Sequence, residues 1–120
     1  MRSKIDSTKF GSINITGKRY EHDVVITLDG NVEKRKKKLS SVIYGTSHII
    51  SLDEVKHAYE DGATLLIIGT GQTGLVKLSP EATAFLKEKS CQVQLFPTPQ
   101  AIEAWNEAKG KVIGLFHVTC

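Results

Sequence analysis

The pattern between residues 63 and 118 constrains this chain most: three apolar runs separated by two helix-start signals. The first run, 63–68, contains the unbroken apolar stretch Leu65–Ile68, as expected for a strand buried on both faces. Ser79-Pro80 then pairs a cap residue with proline at the first helical position. Ala82, Phe85 and Leu86 follow as the apolar stripe of that helix. Cys91–Phe96 alternates, with Cys91, Val93 and Leu95 on one face and Gln92 and Gln94 on the other. Thr98-Pro99 repeats the cap-and-proline device, Ile102, Trp105 and Ala108 form the next stripe, and Gly110 ends it. Lys111–Val118 is apolar on both faces and predicts a central strand. The order is β-α-β-α-β, so a sheet with parallel strands is expected.

The first half changes character. Ile13 and Ile15 alternate, and Tyr20, Val24, Ile26 and Leu28 hold one face at period two. Asp29-Gly30 is a two-residue hairpin signal, with Val32 starting the return strand. Ser51-Leu-Asp-Glu54 is a capping box ahead of Leu52, Val55 and Tyr59 at helical spacing. The expected class is therefore α/β: a three-layer arrangement with a central mixed β-sheet flanked by helices, plus an N-terminal β-hairpin region. At 120 residues the chain reads as one domain, 1–120, able to bury roughly 65% of its unfolded surface. No apolar run approaches the ~20 residues of a membrane span. Residues 1–10 carry no apolar core of signal-peptide type, so a cytoplasmic location and two free thiols, Cys91 and Cys120, are expected.

The formal charge of +3 is unevenly distributed. Residues 1–60 hold 11 Lys/Arg against 8 Asp/Glu, whereas residues 61–120 hold 5 of each. The run Lys34-Arg35-Lys36-Lys37-Lys38 accounts for the difference. It reads as a solvated edge segment that discourages sheet-to-sheet aggregation. The competing reading is a phosphate or nucleic-acid patch. No aromatics interleave the run for base stacking, so nucleic acid is the weaker reading.

Gly69-Thr70-Gly71-Gln72-Thr73-Gly74 matches the dinucleotide spacing after a strand, but its context fails. The next helix starts only at Ser79-Pro80, and no acidic residue follows the next strand. Leu75 stands where a phosphate loop needs lysine. If the strands ending near Ile68, Phe96 and His117 are parallel, their carboxyl ends bring Gly69, Thr70, Gly71, Thr98 and His117 together, where open α/β sheets bind ligands. Tyr44-Gly45-Thr46-Ser47-His48 could add hydroxyl donors and an imidazole base, or form a turn with local hydrogen bonds. A His117–Cys120 nucleophile pair is disfavoured, because three-residue spacing along a strand puts the side chains on opposite faces. No ligand-pair spacing supports a metal at His48, His117 and Cys120.

Five segments, taken in order, resemble one family: Lys9-Phe10-Gly11-Ser12, Tyr44–His48, Leu65–Gly71, Ala101–Glu107 and His117–Cys120. This is the MTH-type domain family of small α/β proteins, in its archaeal-type form; eukaryotic relatives include an adipogenesis-associated protein and a mitochondrial complex I assembly factor. The resemblance implies a mixed sheet with helices on both faces, no established enzyme activity and no cofactor. It also implies assembly or scaffolding in some relatives, and a polar pocket. Carried over by position, the motif residues are Tyr44, Thr46, Ser47, His48, Gly69, Thr70, Gly71, Asn106, His117 and Cys120. The leading expectation is a non-enzymatic interaction or assembly module with a protein partner. The alternatives are a binder of, or enzyme on, a small polar or anionic metabolite near Gly69–Gly71, His48 and His117, and nucleic-acid binding through Lys34–Lys38.

Overall fold

The computed structural model describes residues 3–120. The chain opens with β1 (Ile5–Lys9), β2 (Ser12–Ile15) and β3 (Lys18–Tyr20), an antiparallel three-stranded sheet. The hairpin β4 (Val24–Ile26) and β5 (Val32–Lys34) follows, then α1 (Lys38–Tyr44), β6 (Ile49–Ile50) and α2 (Leu52–Ala58). The second half runs β7 (Leu65–Thr70), β8 (Lys77–Leu78), α3 (Pro80–Glu88), β9 (Gln92–Phe96), α4 (Thr98–Glu107) and β10 (Val112–His117). The main sheet has the order β5-β4-β10-β7-β9. β10, β7 and β9 are parallel, and β4 and β5 are antiparallel additions. β10 is central, as its two apolar faces require.

Alternation along the strands builds two cores. Leu66, Ile68, Ile113 and Leu115 face α2 and α3, meeting Val55, Ala58, Ala82 and Leu86. Ile67, Val112 and Phe116 face the other way, toward Trp105 and Ala101 of α4 and Ile5, Ile13 and Ile15 of the small sheet. The layers are therefore α2/α3, sheet, and α4 with the three-stranded sheet. The connection β7-α3-β9 steps outward and β9-α4-β10 steps back past β7, which places right-handed crossovers on opposite faces. Trp105 and Phe116 pack edge to face at 5.8 Å and 89°. Gly114 makes room for them: a Cβ there would lie 2.5 Å from the Phe116 ring and 2.9 Å from that of Trp105.

Two local expectations are corrected. The first hairpin is not a two-residue turn on a strand running from Tyr20. Tyr20 belongs to β3 of the small sheet, and residues 27–31 form a longer connection. Thr27 N–H donates to the Asn31 carbonyl and Gly30 N–H to that of Thr27. Leu28 leaves the ladder because its N–H donates to the Glu60 carboxylate at 2.7 Å, and it packs on the α2/α3 side. The second correction concerns Thr98, which is not the cap of α4. Pro97 holds that position, and the Thr98 hydroxyl is used at the sheet edge. Ser79 caps α3 as the sequence predicts, accepting from Ala82 N–H.

Candidate functional site

The site is best built from Arg35. Its four lysine neighbours in the run are exposed, but Arg35 is only 3% exposed. The solvated reading is therefore corrected at this residue. Just past β5, Arg35 N–H donates to the Asp23 carbonyl, holding the side chain inward. Nη1 donates to Asp23 Oδ2 at 2.9 Å, Nε and Nη2 make a fork onto Glu54, and Nη2 also reaches the Ser47 carbonyl at 2.8 Å. Only arginine supplies such a planar set of donors. Glu54 also accepts from the Ser40 hydroxyl. The expected capping box is thus half realised. The Ser51 hydroxyl accepts from Glu54 N–H, but the Glu54 carboxylate turns to Arg35, and Ser40 Oγ takes Ser51 N–H.

Asp23 carries this cluster to the end of β10. Its Oδ1 accepts from Val118 N–H at 2.8 Å, and Oδ2 lies 2.7 Å from His117 Nδ1. Burial pushes the Asp23 carboxyl up. The hydrogen bonds from His117 and Val118, with the charges of His117 and Arg35, outweigh burial and hold it below the ordinary carboxylate value. Burial likewise lowers Arg35, but Glu54 and then Asp23 outweigh it and raise it further. A carboxylate only accepts, so His117 Nδ1 carries its proton toward Asp23, and Arg35 Nη1 at 3.3 Å makes a close approach to that nitrogen. In neutral His117, Nε2 then accepts from the Thr119 hydroxyl at 3.0 Å.

The expectation that His117 and Cys120 lie on opposite faces assumed a continuous strand. β10 ends at His117, and the chain bends where Asp23 binds Val118 N–H and the Thr119 carbonyl accepts from Gln72 N–H. Cys120 Sγ comes within 3.9 Å of His48 Nε2, and the His48 and His117 rings pack edge to face at 5.5 Å. Thr46 accepts from His48 N–H, and the His48 carbonyl accepts from Lys77 N–H.

The Gly69–Gly71 edge meets His117 as the parallel register predicts, with Gly69 paired to Phe116 and Thr70 to His117. It is closed by the chain itself. The Thr98 hydroxyl donates to the His117 carbonyl at 2.6 Å and accepts from Gly71 N–H at 2.9 Å. Gly71 has φ +103°, and a Cβ there would sit 2.5 Å from the Cys120 carbonyl oxygen and 2.9 Å from the His117 ring. These glycines serve close packing rather than a phosphate cradle. Thr70 is buried beside them. Ser47 contributes its carbonyl, and Tyr44 stands exposed at the end of α1. Asn106 is used elsewhere, bonding both Ile5 N–H and C=O and so tying β1 to α4.

Sequence reasoning brought together His48, Gly71, Thr98, His117 and Cys120, but missed Asp23, Arg35, Ser40 and Glu54. The one available signal was a lone arginine among four lysines. The buried part of the cluster is internally paired, so it acts as a clamp between β4, β5, α1, α2 and β10. Its accessible fringe is His48, Thr119 and Cys120, all half-buried.

A family described as "Protein of unknown function (DUF498/DUF598)" matches residues 5–117. Among solved structures, the conserved hypothetical protein PH1505 from Pyrococcus horikoshii OT3 is 33% identical, with a TM-score of 0.91 over 98% of this chain and 99% of its own. The protein MT938 is 30% identical, with a TM-score of 0.84 over 98% and 99%. A Mth938-like domain from Bordetella pertussis shares the fold at 18% identity and a TM-score of 0.60, over 97% of this chain and 85% of its own.

Proposed function

The chain belongs to this DUF498/DUF598 family of Mth938-like α/β domains, whose function is unknown, and we propose that it acts as a non-enzymatic interaction or assembly module. One observation carries the reading. α1 presents Val42, 79% exposed, and Ile43, 53% exposed, with Tyr44 beside them. Contiguous exposed apolar side chains mark contact surfaces. This one is also preorganised, because Ser40 on the same helix is buried and bonded into the Glu54–Arg35 cluster. The partner is a protein surface that is apolar at its centre and acidic at its rim. Lys36, Lys37 and Lys38 at the start of α1 would repel a second copy of the chain and attract such a surface.

Among the described residues no helix is long and apolar enough to cross a membrane, and in this reading the partner is met in the cytoplasm. A photo-crosslinking residue placed at Val42 in the source cells tests it. One dominant adduct to a different protein is expected. Adducts only between copies of the chain, or none, would overturn the partner assignment.

A second reading rests on the meeting of His48, His117 and Cys120. The fringe formed by His48, Thr119 and Cys120 would hold a small polar or anionic metabolite, with His117 behind it. Thermal-shift screening of metabolites tests this reading. A stabilising hit lost in His48→Ala supports it, whereas a hit indifferent to that substitution contradicts it.

A further inference from the structure

The basic run lines a cleft whose interior neither reading fills, although Lys36, Lys37 and Lys38 also border the α1 contact. Lys34, Arg35, Lys36, Lys37, Lys38, Leu39 and His57 surround a volume of about 480 Å³, and no acidic residue lies among them. That volume falls within the range of small-molecule sites, roughly 300–1,000 Å³. Arg35 has its guanidinium committed to Asp23 and Glu54. The four lysines have no such partner: among the described residues none of them forms a salt bridge. Four lysines lining one concavity with no acidic residue among them make it electropositive, and an anion entering it is attracted. Buried Arg35 within the run and buried Ser40 just beyond it fix the backbone that carries these lysines.

We propose that this cleft binds a small molecule bearing several phosphoryl groups. Lysine ammonium groups suit phosphate as point charges with rotatable donors. The His57 ring, exposed in the last turn of α2, adds a further nitrogen at the rim. A multiply charged small anion fits better than a nucleic-acid strand, because the lining holds no aromatic ring on which a base could stack other than that imidazole. The proposal shares Lys36, Lys37 and Lys38 with the rim of the α1 contact, whose apolar centre is Val42 and Ile43.

The test is calorimetric titration of the full chain with inorganic triphosphate, at about 50 mM and about 200 mM salt. The comparison variant is Lys36→Gln/Lys38→Gln, its fold checked by circular dichroism. Saturable one-to-one binding is expected, weakened roughly tenfold in the variant and again at the higher salt. A second arm titrates single-stranded DNA of about 16 nucleotides. Absence of saturable binding at roughly 10 mM triphosphate would overturn the proposal. So would binding unchanged in the variant, or lysine-dependent binding of the DNA tighter than that of triphosphate, which would assign the run to nucleic acid.

Discussion

Arg35 decides more than any other residue here. Among the described residues it is the buried cation that satisfies Asp23 and Glu54 together, and taking one member from a buried ionic group leaves uncompensated charge. Arg35→Met should therefore cost about 3–5 kcal/mol of stability in urea unfolding. Arg35→Lys should recover only part of that, because one ammonium cannot reproduce the fork onto Glu54 and the bond to Asp23. The cluster also sets an acid limit. The Asp23 carboxyl is held below its ordinary value in the native state, so it binds a proton more readily when unfolded. Its stabilising contribution is full above the unfolded value of about 3.9 and is lost as pH falls through the lower native value. Urea midpoints measured from about pH 5 to about pH 2 should fall steeply, and Asp23→Asn should flatten that fall while lowering the plateau.

At the scale of elements, the sheet edge is stitched by one hydroxyl. Thr98 bridges Gly71 N–H on the β7 side and the His117 carbonyl on β10. Thr98→Val keeps the shape and leaves two buried polar groups unpaired, an expected loss of about 1–3 kcal/mol. Faster amide exchange at Gly71 should accompany it, and Thr98→Ser should retain most of the stability. This element also shows what sequence can reveal. The strands and helices from 63 to 118 were legible because period and cap residues act over a few positions. Thr98 had the composition of a cap, and only its neighbours in space, 27 and 19 residues away, gave its hydroxyl another use. Arg35 was hidden for the same reason. Its partners Asp23 and Glu54, and the neighbouring His117, lie 12, 19 and 82 residues away, and apart from its being the one arginine of the run no local pattern separates it from the lysines around it.

On the scale of the whole molecule, the structure separates its polar interior from its accessible surfaces. The sheet's carboxyl edge, which topology marks for ligands, is largely filled by Thr98, Cys120 and the closing glycines. Val42 and Ile43 on α1 and the basic cleft beside them lie on the accessible surface, as do Phe10, Leu75 and Leu95 elsewhere. Val42→Asp/Ile43→Asp should leave stability within about 0.5 kcal/mol, since neither side chain is buried against the fold. The most direct measurement is then the affinity of the Val42-crosslinked partner for three purified chains: wild type, Val42→Asp/Ile43→Asp and His48→Ala. The account predicts at least a roughly tenfold loss for the α1 double variant and no change for His48→Ala. Undiminished binding by the double variant, with loss on His48→Ala, would contradict it and move the function to the His48–Cys120 edge.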